Sequence, residues 1–340
     1  MITPYDNIRA ALRAKPRRWL LTGAAGFIGS HLLEALLQLG QTVVGLDNLC
    51  TGRRTNLEAV RTAVGEEAWQ NFRLIEASVA DPQACREACQ GAEAVIHQAG
   101  FISVPLSLQD PVGCHETNVT GTLHLLLAAR DAGVKRFVYA SSSAVYGDDE
   151  RLPKVEEQIG RPVSPYGASK LMDELYAGLA AAHYGLSCVG LRYFNAFGPR
   201  QDPTGGYAAV IPQWIATLLR GESCRIHGDG AQTRDFCHVA NMVQANLLAA
   251  TAEIPGNNGV YNVALGRLTS LNELYELIAR EVAYARSDFK LPLLQHGPPR
   301  PGDIRHSGAD ITRARQELGF EPAVSLEDGL RETVRWYAAQ

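Results

Sequence analysis

No apolar run in this chain approaches the ~20 residues that span a bilayer, so a transmembrane helix is excluded. Neither sign of charge dominates. The formal net charge is -4, and no basic cluster is interleaved with aromatics, so neither nucleic acid nor a membrane surface is an expected partner. The first residues, Met1 to Arg18, lack the apolar core of a secretory signal, and a cytoplasmic location is expected. Cysteine is sparse. The seven residues (Cys50, Cys85, Cys89, Cys114, Cys188, Cys224, Cys237) are odd in number and show no CxxC spacing. Cys85 and Cys89 are spaced to share a helix face, but no histidine or second pair completes a zinc site, so no metal is expected and the thiols read as reduced.

What is present is an ordinary globular balance, 46% hydrophobic and 20% charged, over 340 residues. That length exceeds the size at which one core usually stops growing, which predicts a large domain with a smaller lobe. Short β-rich runs over 18–22, 42–46, 72–76, 94–97, 137–141 and 187–192 alternate with helical patterns over 27–39, 82–90, 113–132 and 165–184. Gly40, Gly91, Gly133 and Gly185 stand where helices should stop. The alternation implies a doubly wound parallel sheet of Rossmann type, with right-handed crossovers and helices on both faces. After about residue 195 proline and glycine become frequent and strands fewer, as in a loop-rich lobe of mixed α/β character. A helix over 239–251 and a strand over 260–263 are expected to return to the first domain. The division predicted is 1–193 with a returning segment at about 236–265, and 194–340.

Thr22-Gly23-Ala24-Ala25-Gly26-Phe27-Ile28-Gly29 joins the first strand to the first helix. Gly23 permits the tight turn, Gly26 lets backbone approach a pyrophosphate, and Gly29 lets the helix pack on the strand. Phosphates would face the free N–H groups at the helix start. A glycine triplet alone often serves chain geometry only, so context decides. The next strand ends in Leu46-Asp47-Asn48, a carboxylate 18 residues beyond Gly29. An acid there accepts from both ribose hydroxyls and repels a 2′-phosphate, which favours NAD over NADP. Arg53 and Arg54 follow closely and could soften that preference.

Tyr166 and Lys170, four apart at the start of a predicted helix, share one face. A phenol titrates near ~10, and a neighbouring ammonium stabilises the phenolate and equips it as a base near neutrality. Such a pair also occurs on ordinary helix surfaces. Here Ser141-Ser142-Ser143-Ala144-Val145-Tyr146-Gly147 runs off a strand end about 24 residues earlier, where ligands of open parallel sheets bind. A hydroxyl there can hold the oxygen whose proton Tyr166 takes. No GxSxG elbow surrounds these serines, so a hydrolase triad is disfavoured.

With these elements in order, the chain resembles the extended short-chain dehydrogenase/reductases. Within them it is most similar to UDP-hexose 4-epimerases, in particular the bacterial UDP-N-acetylglucosamine 4-epimerase group. Leu46-Asp47-Asn48-Leu49, His97-Gln98-Ala99, Arg192-Tyr193-Phe194-Asn195, Arg234-Asp235-Phe236 and Arg300-Pro301-Gly302-Asp303 match family blocks, and the likeness runs nearly end to end. The resemblance implies NAD contacts at Gly23, Gly26, Phe27, Ile28, Gly29, Asp47, Asn48, Gln98, Ala99, Tyr166 and Lys170. It implies that Tyr166 takes the sugar 4-hydroxyl proton while hydride passes to NAD, giving a 4-keto sugar that turns over and takes the hydride back on its other face. Ser142 would orient the oxygen and Lys170 the cofactor ribose. The related dehydratases carry an Asp-Glu pair where this chain has Ser143 and Ala144, and the decarboxylases a glutamate at Ala144, so both reactions are disfavoured.

On the substrate side the resemblance implies UDP contacts from Asn195, Arg234, Arg300 and Asp303, arginine forks suiting a diphosphate. It further implies sugar-pocket contacts from Ser103, Ser142, Ser143, Gln201, Ala209, Val210 and Ser307. Glucose-restricted relatives have a bulky tyrosine at the Ser307 position, and serine leaves room for an N-acetyl group. Three departures stand out: Ile102 replaces a pocket glycine, Leu106 an arginine, and Ser78 an aspartate that holds the adenine amino group. The expected reaction is therefore 4-epimerisation of UDP-N-acetylglucosamine. UDP-glucose or N-acetylhexosaminuronate epimerases and a non-catalytic NAD-binding regulator are the alternatives, and Arg305 or His306 could supply a cation for a uronate. A homodimer is implied through the helices over 113–132 and 165–184, with Leu123, Leu126, Leu127, Leu171 and Leu175 available to it.

Overall fold

The computed structural model describes residues 2–204, 208–299 and 304–340. Seven strands form one wholly parallel sheet: β1 (Arg18–Thr22), β2 (Thr42–Asp47), β3 (Phe72–Glu76), β4 (Ala94–His97), β5 (Arg136–Ser142), β6 (Ser187–Tyr193) and β7 (Asn258–Val263). Their order is β3-β2-β1-β4-β5-β6-β7. Consecutive side chains along a strand point to opposite faces, and the buried pairs Leu20/Leu21, Val95/Ile96, Phe137/Val138 and Cys188/Val189 divide accordingly. Leu21, Ile96, Val138 and Val189 pack beneath helices Phe27–Gln38 and Val239–Thr251. Leu20, Val95, Phe137 and Cys188 pack beneath Pro82–Cys89 and Gly121–Asp131. With both faces covered, the strands read as nearly continuous apolar runs.

The order reverses between β1 and β4, the place in such sheets where ligands bind outside the carboxyl ends of the strands. The glycine turn leaves β1 and Gln98-Ala99 leave β4, so the two segments share that place. The left-handed glycines Gly40, Gly91, Gly133 and Gly185 have φ of 71°, 69°, 69° and 66°, as their helix-ending places require.

Helices appear that the periodicity did not indicate. Pro4–Ala14 is capped by Thr3 and Asp6 and buries Leu12. Arg54–Trp69 is broken by Gly65 at φ 80°. Val210–Leu219, Leu271–Ala285 and Leu326–Ala338 meet in a second core around Phe197, Trp214, Ile215, Leu274, Ile278 and Leu330. This lobe has more strands than expected, each only two or three residues long. The helix expected over 113–132 begins earlier, at Pro111, and carries a π turn over Glu116–Thr120 before continuing as Gly121–Asp131. Leu126, expected on an exposed helix face, is instead in the sheet core.

Candidate active site

In the glycine turn, Gly23 (φ 68°) donates its N–H to Leu46 O at 2.9 Å. A Cβ on Gly23 would lie 2.7 Å from Ala99 N, and one on Gly29 only 1.9 Å from Gly23 O. The turn therefore packs against both the β4 rim and its own helix. Gly26 differs: a Cβ there would meet Gly23 O at 3.1 Å and nothing else within 4 Å, so its backbone faces open space. This cradle fits a dinucleotide pyrophosphate. Asp47 is buried, its carboxylate accepting from Ala25 N at 2.9 Å and Leu49 N at 2.8 Å. The turn thus fixes the acid at the end of β2. Arg53 pairs with Asp202 and Arg54 with Glu76, both on the surface. Asn48 accepts from Cys50 N, and Ser78 from Ala80 N at 3.1 Å. The Gln98 amide donates to Tyr193 Oη and Asn246 Oδ1, and Ala99 N to Thr22 Oγ1 at 3.1 Å.

Helix Pro165–Tyr184 starts where Ser164 caps it by accepting from Gly167 N at 3.1 Å, with Pro165 at the first position. A Cβ on Gly167 would lie 2.7 Å from Ala144 O. Only glycine lets the serine turn after β5 sit against this helix, and that contact brings Ser142 and Ser143 to the Tyr166 end of it. Ser142 closes β5 and accepts from Ala144 N at 3.1 Å, while the Tyr166 N–H donates to Ser107 Oγ at 3.2 Å. Lys170, one turn on, is buried and donates to Asp173 Oδ2 at 3.1 Å. Burial alone would lower its pKa, but Asp173 and Tyr166 outweigh that and raise it. Glu174 ties the helix to the sheet through a two-pronged bond with Arg192 (2.9 and 2.8 Å) and a 2.5 Å bond from Ser141.

In the smaller lobe, Ser307 stands opposite Arg234 in a parallel strand pair, and Asp235 N donates to Ser307 O at 3.0 Å. Asn195 Nδ2 donates to Asp235 O at 3.0 Å, so Asn195, Arg234 and Ser307 form one cluster around the Asp235 backbone. The Asp235 carboxylate accepts from the N–H groups of Leu265, Gly266 and Arg267. Burial nevertheless pushes its pKa up to about 6. Gln201 is anchored separately, Nε2 to Ala196 O at 3.2 Å. Ala209 immediately precedes the helix that Val210 begins and makes no side-chain cap. Ser103 caps its own short helix, accepting from Leu106 N. Ile102 is 70% exposed and Leu106 40%, so neither fills a closed space. Arg300 and Asp303 lie outside the described residues.

Residues 19–264 match the NAD dependent epimerase/dehydratase family. The chain belongs to that family. Among curated relatives, the UDP-glucose 4-epimerase of Mycolicibacterium smegmatis is 38% identical over 322 residues, 94% of this chain and 98% of the relative. A UDP-N-acetylglucosamine 4-epimerase from Methanobrevibacter ruminantium, solved with UDP-N-acetylmuramic acid, superposes with a TM-score of 0.87 at 38% identity, covering 96% of this chain and 99% of that one. The UDP-glucose 4-epimerase of Thermotoga maritima, solved with UDP-glucose, gives 0.85 at 37%, covering 95% and 99%. The resemblance to extended short-chain dehydrogenase/reductases thus holds, and this member is an NAD-dependent isomerase.

For an epimerase of this family, several buried groups around the site escape a reading of local sequence. Asn118, in the π turn, accepts from Phe101 N at 2.7 Å and donates to Phe101 O and Ser169 Oγ, tying the loop after β4 to the Tyr166 helix. His97 bridges Thr22 (2.6 Å) and Thr122 (3.0 Å), and burial holds its pKa down at about 3. Nothing local in the sequence marks either role. Asp173 did carry a signal: it lies three residues after Lys170, a helical spacing that places both on one face.

Proposed function

We propose that this epimerase interconverts UDP-N-acetylglucosamine and UDP-N-acetylgalactosamine at carbon 4. The observation that carries the N-acetyl assignment is the small Ser307 side chain, in register with Arg234, the cation assigned to the diphosphate. Similarity to the Methanobrevibacter enzyme supports the same reading. The uronate alternative needs a free cation near the sugar, and Arg305 is engaged by both oxygens of Asp229 at 2.9 and 2.8 Å. The exposure of Ile102 argues against a pocket closed to the N-acetyl group.

Residues 1–193 with the returning segment form the NAD-binding body, and 194–340 the lobe that holds the nucleotide sugar. Gly23, Gly26, Phe27, Ile28 and Gly29 hold the NAD pyrophosphate, Asp47 and Asn48 the adenosine ribose, and Gln98 and Ala99 line the nicotinamide side. Bound NAD supplies the hydride acceptor and donor at carbon 4. Tyr166 takes the 4-hydroxyl proton and later returns it; Ser142 holds that oxygen, with Ser143 beside it. Lys170 holds the nicotinamide ribose and keeps positive charge near Tyr166. Asn195, Arg234, Arg300 and Asp303 hold UDP, while Ser103, Gln201, Ala209, Val210 and Ser307 border the sugar. Two copies associate through the exposed apolar stripe Met172, Leu175, Tyr176 and Leu179 along helix Pro165–Tyr184. Comparing kcat/KM for UDP-N-acetylglucosamine, UDP-glucose and UDP-N-acetylglucosaminuronate tests the substrate assignment. The first should be preferred, and preference for either of the others overturns it.

A further inference from the structure

Lys170 and Asp173 are 4% and 1% exposed, and Oδ2 of the acid accepts from the ammonium at 3.1 Å. A buried ion pair is weak support for a fold, since apolar replacements are often neutral or stabilising. Asp173 Oδ1 has no hydrogen bond of good geometry among the described residues, and Thr122 is the side chain near enough to favour the ionised carboxylate. Its surroundings suggest another role. Glu174, the neighbouring acid on the helix, is engaged by Arg192 and Ser141 and cannot replace it. Burial keeps Tyr139 on β5 protonated and His97 on β4 neutral, while Tyr166 and Cys114, on the preceding helix, support the Lys170 charge less than Asp173 does. Tyr166 lies on the same face.

We propose that Asp173 is a positioning residue for the Tyr166–Lys170 pair. Its carboxylate fixes the Lys170 side chain and keeps the buried amine charged, leaving two ammonium donors for a ribose and a full positive charge for Tyr166. Burial is the largest influence on Lys170 and acts to remove its proton, while Asp173 is the largest opposing one. Burial pushes the Asp173 carboxyl up to about 6, which leaves it ionised at neutral pH. The proposal rests on the role given to Lys170 above.

Its test is a titration of Lys170 itself, needing neither substrate nor turnover. In the full-length protein labelled at the lysine ε-carbons, NMR follows each amine against pH, with Lys170→Arg identifying the signal. In the wild type, Lys170 should keep its proton past the ordinary lysine value. In Asp173→Asn its midpoint should fall by roughly one pH unit or more. Asp173→Glu, which keeps the charge, should restore it. The kcat of Asp173→Asn should then drop on the alkaline side, where the wild type is level. If Asp173→Asn does not fold, Asp173→Ala serves, since it also removes the unpaired oxygen. An unchanged Lys170 midpoint in a folded variant overturns the proposal, as does a fall that Asp173→Glu leaves in place. Because the titration is independent of the reaction, failure to epimerise any sugar would leave its result standing.

Discussion

Ser307 shows how much a single side chain decides. Its backbone is fixed by the pairing with Arg234 and by the bond from Asp235 N, so a larger residue there cannot move aside with its strand. Ser307→Tyr is expected to lower kcat/KM for UDP-N-acetylglucosamine by ~10–200-fold and to spare UDP-glucose. Steady-state kinetics on both sugars check this. The direction was legible in the sequence because a family block located the position. The glycine turn, Asp47, Ser142, Tyr166 and Lys170 were legible for a related reason: each lies within a few residues of a strand end or helix start that the pattern reveals. Asn195 was only partly legible. Its amide is bonded to the Asp235 backbone, a contact between residues 40 apart that no local pattern encodes.

At the scale of elements, the strands were read to within one or two residues: burial on both faces gives the central ones an apolar signature, while the edge strand Phe72–Glu76 is only partly buried. Helix Arg54–Trp69 was missed because only Asn56, Leu57 and Val60 are buried and Gly65 interrupts it. The two-residue strands of the lobe are too short to show a period, and their partners come from distant segments. The π turn at Glu116–Thr120 was equally invisible, yet it carries Asn118, which holds both backbone groups of Phe101. Asn118→Ala would leave those groups without their protein partner, at a cost of roughly 1–3 kcal/mol. A lower thermal midpoint and a raised KM are expected, from calorimetry and kinetics, as the loop bearing Ile102 and Ser103 loosens.

For the whole molecule, buried titratable groups set the response to acid. Burial lowers His31 and His97 to about 3 and His238 to about 4. Their stabilising contribution is complete above the unfolded value of ~6.5 and is lost as pH falls towards the folded values. Asp173 and Asp235, raised to about 6, act in the opposite sense between their unfolded value of ~3.9 and 6. Glu156 and Glu332, also raised by burial, act with the aspartates, while carboxylates lowered by hydrogen bonds and ion pairs, such as Asp202 and Asp229, act with the histidines. The protein should be less stable at about pH 4.5 than at about pH 6.5, measurable by denaturant titration. The apolar stripe on helix Pro165–Tyr184 predicts a particle of twice 36.9 kDa by light scattering. A Leu175→Arg, Leu179→Arg double variant should reduce it to one chain.

The most direct test is to incubate the purified protein with UDP-N-acetylglucosamine, without added cofactor, and follow the anomeric protons by NMR. Under the proposed function, signals of UDP-N-acetylgalactosamine grow in until the two sugars reach equilibrium, with no net oxidation. If the starting sugar persists unchanged even after NAD is added, while the protein remains folded and binds NAD, the N-acetyl assignment is contradicted.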